Sequence, residues 1–146
     1  MGNSSNPVLP LTRLDQIGIV VRDSEKVMES WTALFGIGPW RKVEFDITDV
    51  DGQPGKVKLC FADLGVVQLE LIEPVVGRIF HSQHLEEHGE GLHHLGFYVD
   101  DVDGEAAKVV AAGGKVLSTA PGRWAYMDTG GPGGVIFEVI RRPEQS

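Results

Sequence analysis

Apolar and polar positions along this chain change period from segment to segment, and the changes mark out its elements. Residues Asp15–Val21 are rich in β-branched side chains and read as a strand. The apolar positions Val27, Met28, Trp31, Leu34 and Phe35 then recur at three- and four-residue spacing. That spacing predicts a helix, entered through Asp23 or Ser24 and ended by Gly36. Alternation returns in Arg41–Ile47, Lys56–Ala62 and Val66–Ile72, with Asp51-Gly52 and Gly65 at the turns. Residues 74–91 form a connector with a short helix predicted over Ile79–His88. The order then starts again. A strand at His93–Val99 leads to a helix from about Gly104 to Ala112, entered through Asp103 and ended by Gly113-Gly114. Strands follow at Lys115–Ser118, Arg123–Asp128 and Val135–Ile140. Residues 1–12 read as a flexible arm, and Arg141–Ser146 as a frayed polar tail.

The two halves also share residues. Leu14–Val21 (LDQIGIVV) returns as Leu92–Val99 (LHHLGFYV), 78 residues later. Val67–Ile72 (VQLELI) returns as Val135–Ile140 (VIFEVI), 68 residues later. Gln16 therefore stands opposite His94, and Glu70 opposite Glu138. Side chains alternate along a strand, so each of these four residues lies on the face away from its strand's apolar neighbours. The fold class that follows is α+β: two βαβββ modules, residues 13–73 and 92–142, whose curled sheets surround a shared cavity lined by the four residues.

A carboxylate buried alone costs several kcal/mol, so two at equivalent positions call for a shared counter-charge. A divalent cation supplies it. Gln16, Glu70, His94 and Glu138 form a mixed nitrogen and oxygen set suited to Zn, Co, Ni, Mn or Mg, with open positions for water or substrate. The bland alternative is that both glutamates face solvent on the uncovered side of an antiparallel sheet. Repetition of the whole set favours the metal.

Composition narrows the classes. The formal net charge of −8, with 21 acidic against 13 basic residues, argues against nucleic acid and anionic membrane surfaces. One cysteine, Cys60, allows no internal disulfide and suits a reduced, cytoplasmic protein. No apolar run approaches the roughly 20 residues of a membrane span. Nothing supports nucleophilic catalysis, and the glycine-rich Gly130–Gly134 precedes a strand, so it reads as a hairpin and not as a phosphate cradle. His81, His84 and His88 fall at i, i+3, i+7 on the connector helix. They read as a solvated or lid-like face, with a second metal face as the alternative. Trp31 and Trp40 read as core and strand-edge residues, His93 as a residue of a helix-packed face, and Trp124 and Tyr126 as candidate lining of a substrate pocket.

The stretch Glu86–Val99, EEHGEGLHHLGFYV, and Leu71-Ile72-Glu73-Pro74 resemble methylmalonyl-CoA epimerases of the vicinal oxygen chelate superfamily, which also includes glyoxalase I and extradiol dioxygenases. The resemblance covers roughly residues 13–142. It implies paired βαβββ modules forming a cupped mixed sheet around a metal, with Gln16, Glu70, His94 and Glu138 as ligands and a homodimer as the assembly. Epimerases have histidine at the first ligand position, and the Gln, Glu, His, Glu set is similar to that of one glyoxalase I type.

The expected activity is metal-assisted proton transfer next to a carbonyl or thioester, with Glu138 as first choice for the base and Glu70 as second. The substrate is a small molecule such as an acyl-CoA. The alternatives are a glyoxalase I-like lyase and a sequestering protein that binds a small ligand without catalysis. An extradiol dioxygenase fits less well, because its iron site needs a second histidine where Gln16 stands.

Overall fold

A computed structural model describes residues 6–130 and 133–144. The element order is β1 (Gln16–Val20), α1 (Ser24–Phe35), β2 (Arg41–Thr48), β3 (Pro54–Leu64), β4 (Val67–Val76), α2 (Phe80–His88), β5 (Gly91–Val99), α3 (Val102–Ala111), β6 (Lys115–Ala120), β7 (Trp124–Asp128) and β8 (Ile136–Arg141). This is βαβββ stated twice with α2 between. The chain forms two compact units, one of Asp15–His94 and one of Leu95–Ser146 with the residues before Asp15.

In the Asp15–His94 unit the strand order is β2-β3-β4-β1. Strand β1 runs parallel to β4, while β2, β3 and β4 are antiparallel neighbours. Helix α1 starts where the sequence places it. The Asp23 carboxylate accepts from the Lys26 amide at 3.2 Å, satisfying one of the free N–H groups of the first turn. Gly36 closes the helix at φ 68°, a left-handed cap that glycine adopts without strain. The apolar face of α1 meets one face of the sheet, where Met28 packs with Val21, Cys60 and Leu71, and with the partly buried Trp31 and Trp40. The alternation of β4 sends Ile72 to the opposite face, into a cluster with Val57 and Ile79. Glu70 shares that face.

In the other unit the strand order is β8-β7-β6. Its core joins Val99, Val102, Ala106, Ala125, Met127 and Val139. Leu9 is half-buried against this core, so the arm expected over residues 1–12 has an anchor; its residues 1–5 lie outside the described residues, as do 131–132 of the expected glycine hairpin and 145–146 of the tail. Helix α3 begins earlier than predicted. Asp101, and not Asp103, is its N-cap, accepting from the Gly104 amide at 3.0 Å. Asp103 and Glu105 then fall in the first turn, where negative charge is favoured by the helix dipole. Among the described residues no helix is long and apolar enough to cross a membrane.

Candidate metal centre

The site is built on one face of the Asp15–His94 unit. Strand register places Gln16 beside Gln68, and Gly18 beside Glu70. His94 is fully buried, with its imidazole lying over the α-carbon of Gly18. A β-carbon at Gly18 would overlap three atoms of that ring. The glycine is therefore the seat of the histidine, and its place two residues after Gln16 puts both on one face of β1.

Three donor atoms converge there. His94 Nε2 lies 3.0 Å from Gln16 Oε1 and 3.3 Å from Glu70 Oε1. The Gln16 side-chain N–H₂ donates to Gln68 Oε1 at 2.9 Å, which turns its carbonyl oxygen toward His94. His94 Nδ1 is 2.9 Å from His93 Nδ1. In the hydrogen-bonded arrangement, with Gln16 Oε1 accepting, His94 Nε2–H donates to Gln16 and His93 Nδ1–H donates to His94 Nδ1; a cation on Nε2 would require the other tautomer, with His94 Nδ1–H donating to His93 Nδ1. Gln16, Glu70 and His94 are all buried, and Glu70 Oε1 has no hydrogen-bond partner among the described residues.

Those spacings suit a cation. Ligands at about 2.1 Å and right angles around a metal are about 3 Å apart, and the atoms here are separated by 3.0 and 3.3 Å. The orphaned Glu70 oxygen supplies the charge a cation needs. Among the described residues no group of three or more His, Cys, Asp and Glu is arranged to hold a metal. The convergent set has two such residues, His94 and Glu70, and takes its third donor from the Gln16 amide.

Glu138 lies in the other unit, buried on β8 and directly across from Tyr126 on β7. Its surroundings repeat those of Glu70, which lies directly across from Phe61 on β3. The Tyr126 ring is 5.2 Å from that of Trp124 and tilted 56° to it, so the two residues expected to line a pocket pack against each other.

The connector helix departs from expectation. α2 is half covered: His81 and His84 pack inward, while Glu86, Glu87 and His88 are exposed. The His81 and His84 rings stand 4.8 and 4.6 Å from the His93 ring, and Phe80 meets His93 edge-on at 5.3 Å. His93 is thus on a helix-packed face, but the helix is α2. Burial, with the neighbouring histidines adding to it, drives His93 far below its ordinary pKa and lowers His81 to about 3. Both are neutral in the folded protein at any ordinary pH. Of the three histidines of α2, His88 alone is exposed, 3.7 Å from Glu87.

The positions that sequence reasoning missed are Gly18 and Gln68 as supports of the ligands. Each stands two residues from a predicted ligand on the same strand face, which is the signal that finds them.

Residues 15–128 match the family described as the glyoxalase/bleomycin resistance protein/dioxygenase superfamily. The uncharacterized protein YqjC of Bacillus subtilis is 33% identical over 87 residues, which span 60% of this chain and 57% of that protein's length. Among solved structures, the hypothetical protein BH1468 of Bacillus halodurans superposes with a TM-score of 0.70 at 24% identity, over 92% of this chain and 96% of that one. A methylmalonyl-CoA epimerase variant of Streptomyces coelicolor, in complex with 2-nitronate-propionyl-CoA, gives 0.68 at 26% identity, over 90% of this chain and 98% of that one. The Mycobacterium tuberculosis methylmalonyl-CoA epimerase gives 0.68 at 19% identity, over 99% and 94%, a likeness of fold.

Proposed function

The chain belongs to the glyoxalase/bleomycin resistance protein/dioxygenase superfamily, and we propose that it is a metal-dependent epimerase or isomerase that moves a proton on the carbon next to a carbonyl or thioester. The observation that carries this reading is the meeting of Gln16 Oε1 and Glu70 Oε1 at His94 Nε2 in a buried seat. Gln16, Glu70 and His94 would hold the ion, with Glu138, the repeat equivalent of Glu70, as the fourth ligand. A bound divalent ion supplies Lewis-acid stabilisation of an enolate oxygen.

The protein's residues do the rest. Glu138 accepts the α-proton as the C–H bond breaks, and the electron pair passes to the carbonyl. Glu70, after taking a proton from solvent, would give it to the other face, which inverts the carbon and leaves Glu138 to release its proton to solvent. Gly18 and His93 fix the His94 ring, and Gln68 fixes the Gln16 amide. An acyl-CoA is the substrate class supported by the complex of the similar epimerase. A homodimer belongs to the same proposal and is read by sedimentation.

The test is deuterium exchange, followed by NMR, into methylmalonyl-CoA and into hemithioacetals of glutathione, with Zn, Co, Ni, Mn or Mg and with chelator. Metal-dependent exchange at the α-carbon of the thioester is expected, falling at least about a hundredfold in Glu138→Gln. Exchange that is indifferent to metal sinks the proposal, and exchange unchanged in Glu138→Gln removes that residue as the base. Exchange confined to the hemithioacetal would move the assignment to a glyoxalase I-like lyase.

A further inference from the structure

One row of residues crosses the site-bearing face of the Asp15–His94 unit at a single register. Arg41 on β2 pairs with Phe61 on β3, Phe61 with Glu70 on β4, and Glu70 with Gly18 on β1, beneath the His94 ring. Residues directly paired across strands share a face, so the row runs from a cation over an aromatic ring to a buried carboxylate. Arg41 is exposed, yet its guanidinium lies back along the row. It lies over the Phe61 ring at 4.5 Å from the centroid, folded toward the site.

Among the described residues Arg41 has no carboxylate within ion-pair distance. Its neighbours on the same hairpin do: Lys42 and Lys58 share Glu25 at 3.0 and 2.7 Å, and Lys56 lies 3.9 Å from Asp46. In a chain with 21 acidic and 13 basic residues, a cation left without an anion beside a buried site is notable. The repeat sharpens the point. The corresponding row of the other unit is Ser118, Tyr126 and Glu138. The carboxylate and its aromatic neighbour appear in both rows, and the cation in one alone.

We propose that Arg41, seated on Phe61, is an anion-binding subsite for the substrate, its backbone two strand spacings, roughly 10 Å, from that of Glu70. The ligand it takes carries a carboxylate or phosphate at that distance from the oxygens held near His94. The aromatic seat restrains the guanidinium plane while leaving its N–H edge free for two oxygens of one anion. This rests on the reading of Gln16, Glu70 and His94 as the chelating end of the site. It adds that the substrate is anionic at its far end.

The experiment titrates the metal-loaded wild-type protein with malonate and with pyrophosphate. It follows the Arg41 Nε–Hε and Phe61 ring resonances by NMR at low and at physiological salt. A saturable shift at both residues is expected, with affinity at least tenfold weaker in Arg41→Gln and partly restored in Arg41→Lys. Tighter pyrophosphate binding identifies a phosphate-bearing ligand, and tighter malonate binding a carboxylate. No saturable shift with either anion, or affinity unchanged in Arg41→Gln, overturns the proposal. Because the titration needs no turnover, anion binding without any proton exchange would refute the enzymatic reading and leave this one standing.

Discussion

Substituting Gly18 by alanine adds one methyl group and replaces no proposed ligand, yet it should dismantle the candidate metal centre. In a strand, glycine to alanine ordinarily stabilises by roughly 0.5–1 kcal/mol, and Gly18 carries no left-handed backbone requirement to oppose that gain. The methyl would, however, occupy the space of the His94 imidazole. Ordinary carbon contacts sit at about 3.5–4.0 Å, so the ring must retreat by more than an ångström. Displacement of that size breaks the contacts at 3.0 Å to Gln16 and 2.9 Å to His93. Overpacking costs about 1–3 kcal/mol and two lost hydrogen bonds about 0.5–1.5 each, for a net of roughly 1–5.5 kcal/mol after the strand gain. At about 2–4 °C per kcal/mol, the melting temperature should fall by roughly 2–20 °C in calorimetry. Zinc affinity, read by isothermal titration, should fall at least tenfold. A double-mutant cycle separates the clash from a general defect. In a His94→Ala background the same change at Gly18 should cost nothing. A Gly18→Ala protein with wild-type melting temperature and zinc affinity, or an equal loss in both backgrounds, would refute the reasoning.

Burial holds His81 and His93 below their ordinary pKa, so the unfolded chain binds protons that the folded one refuses, and stability is full above about pH 6.5 and lost as pH falls toward 3. From pH 7.5 to 5.5 each should cost about 1.4 kcal/mol, roughly 3 together, as read by urea unfolding; a flat profile, or one unaltered by His81→Phe, speaks against it. Gln68→Leu removes the acceptor that orients the Gln16 amide, and metal affinity should drop about 10- to 100-fold with little change in melting temperature. Asp101→Ala removes the α3 cap and should cost about 0.5–2 kcal/mol while leaving metal affinity unchanged in the same titration.

Strand period made the skeleton legible. Alternation in Val67–Ile72 put Glu70 and Ile72 on one face and Leu71 on the other, and the structure packs Leu71 under α1 and Ile72 away from it. The α1 ends were legible because the two candidate caps, Asp23 and Ser24, are adjacent and Gly36 directly follows the last apolar position; the structure chooses Asp23. The α3 cap was not, since Asp100, Asp101 and Asp103 offer chemically equal carboxylates and only the backbone path chooses among them. Helix α2 misled for a different reason. Histidine counts as polar in any periodicity, but a neutral imidazole packs well on another imidazole, and His81 and His84 do so on His93. Gly18 gave no chemical signal because its role is to be absent from a space that His94 fills from 76 residues away along the chain.

Where the two repeats differ at the site, one difference is a full charge. Gln16 is neutral where its counterpart His94 is an imidazole, and Arg41 is cationic where its counterpart Ser118 is not. In the proposed set, Glu70 and Glu138 carry two negative charges, which a divalent ion cancels. An enolate then adds a charge that no ligand offsets, and a carboxylate or phosphate on the substrate adds another. Two charges at 10 Å in a medium of effective dielectric near 20 interact by about 1.7 kcal/mol, enough to favour an anionic substrate more than tenfold over a neutral one. The cation needed for that preference stands on β2, outside the ligand set, where it attracts the substrate without competing for the metal. Duplication thus accounts for the positions of the donors, and the single unmatched arginine for the direction in which selectivity should lie.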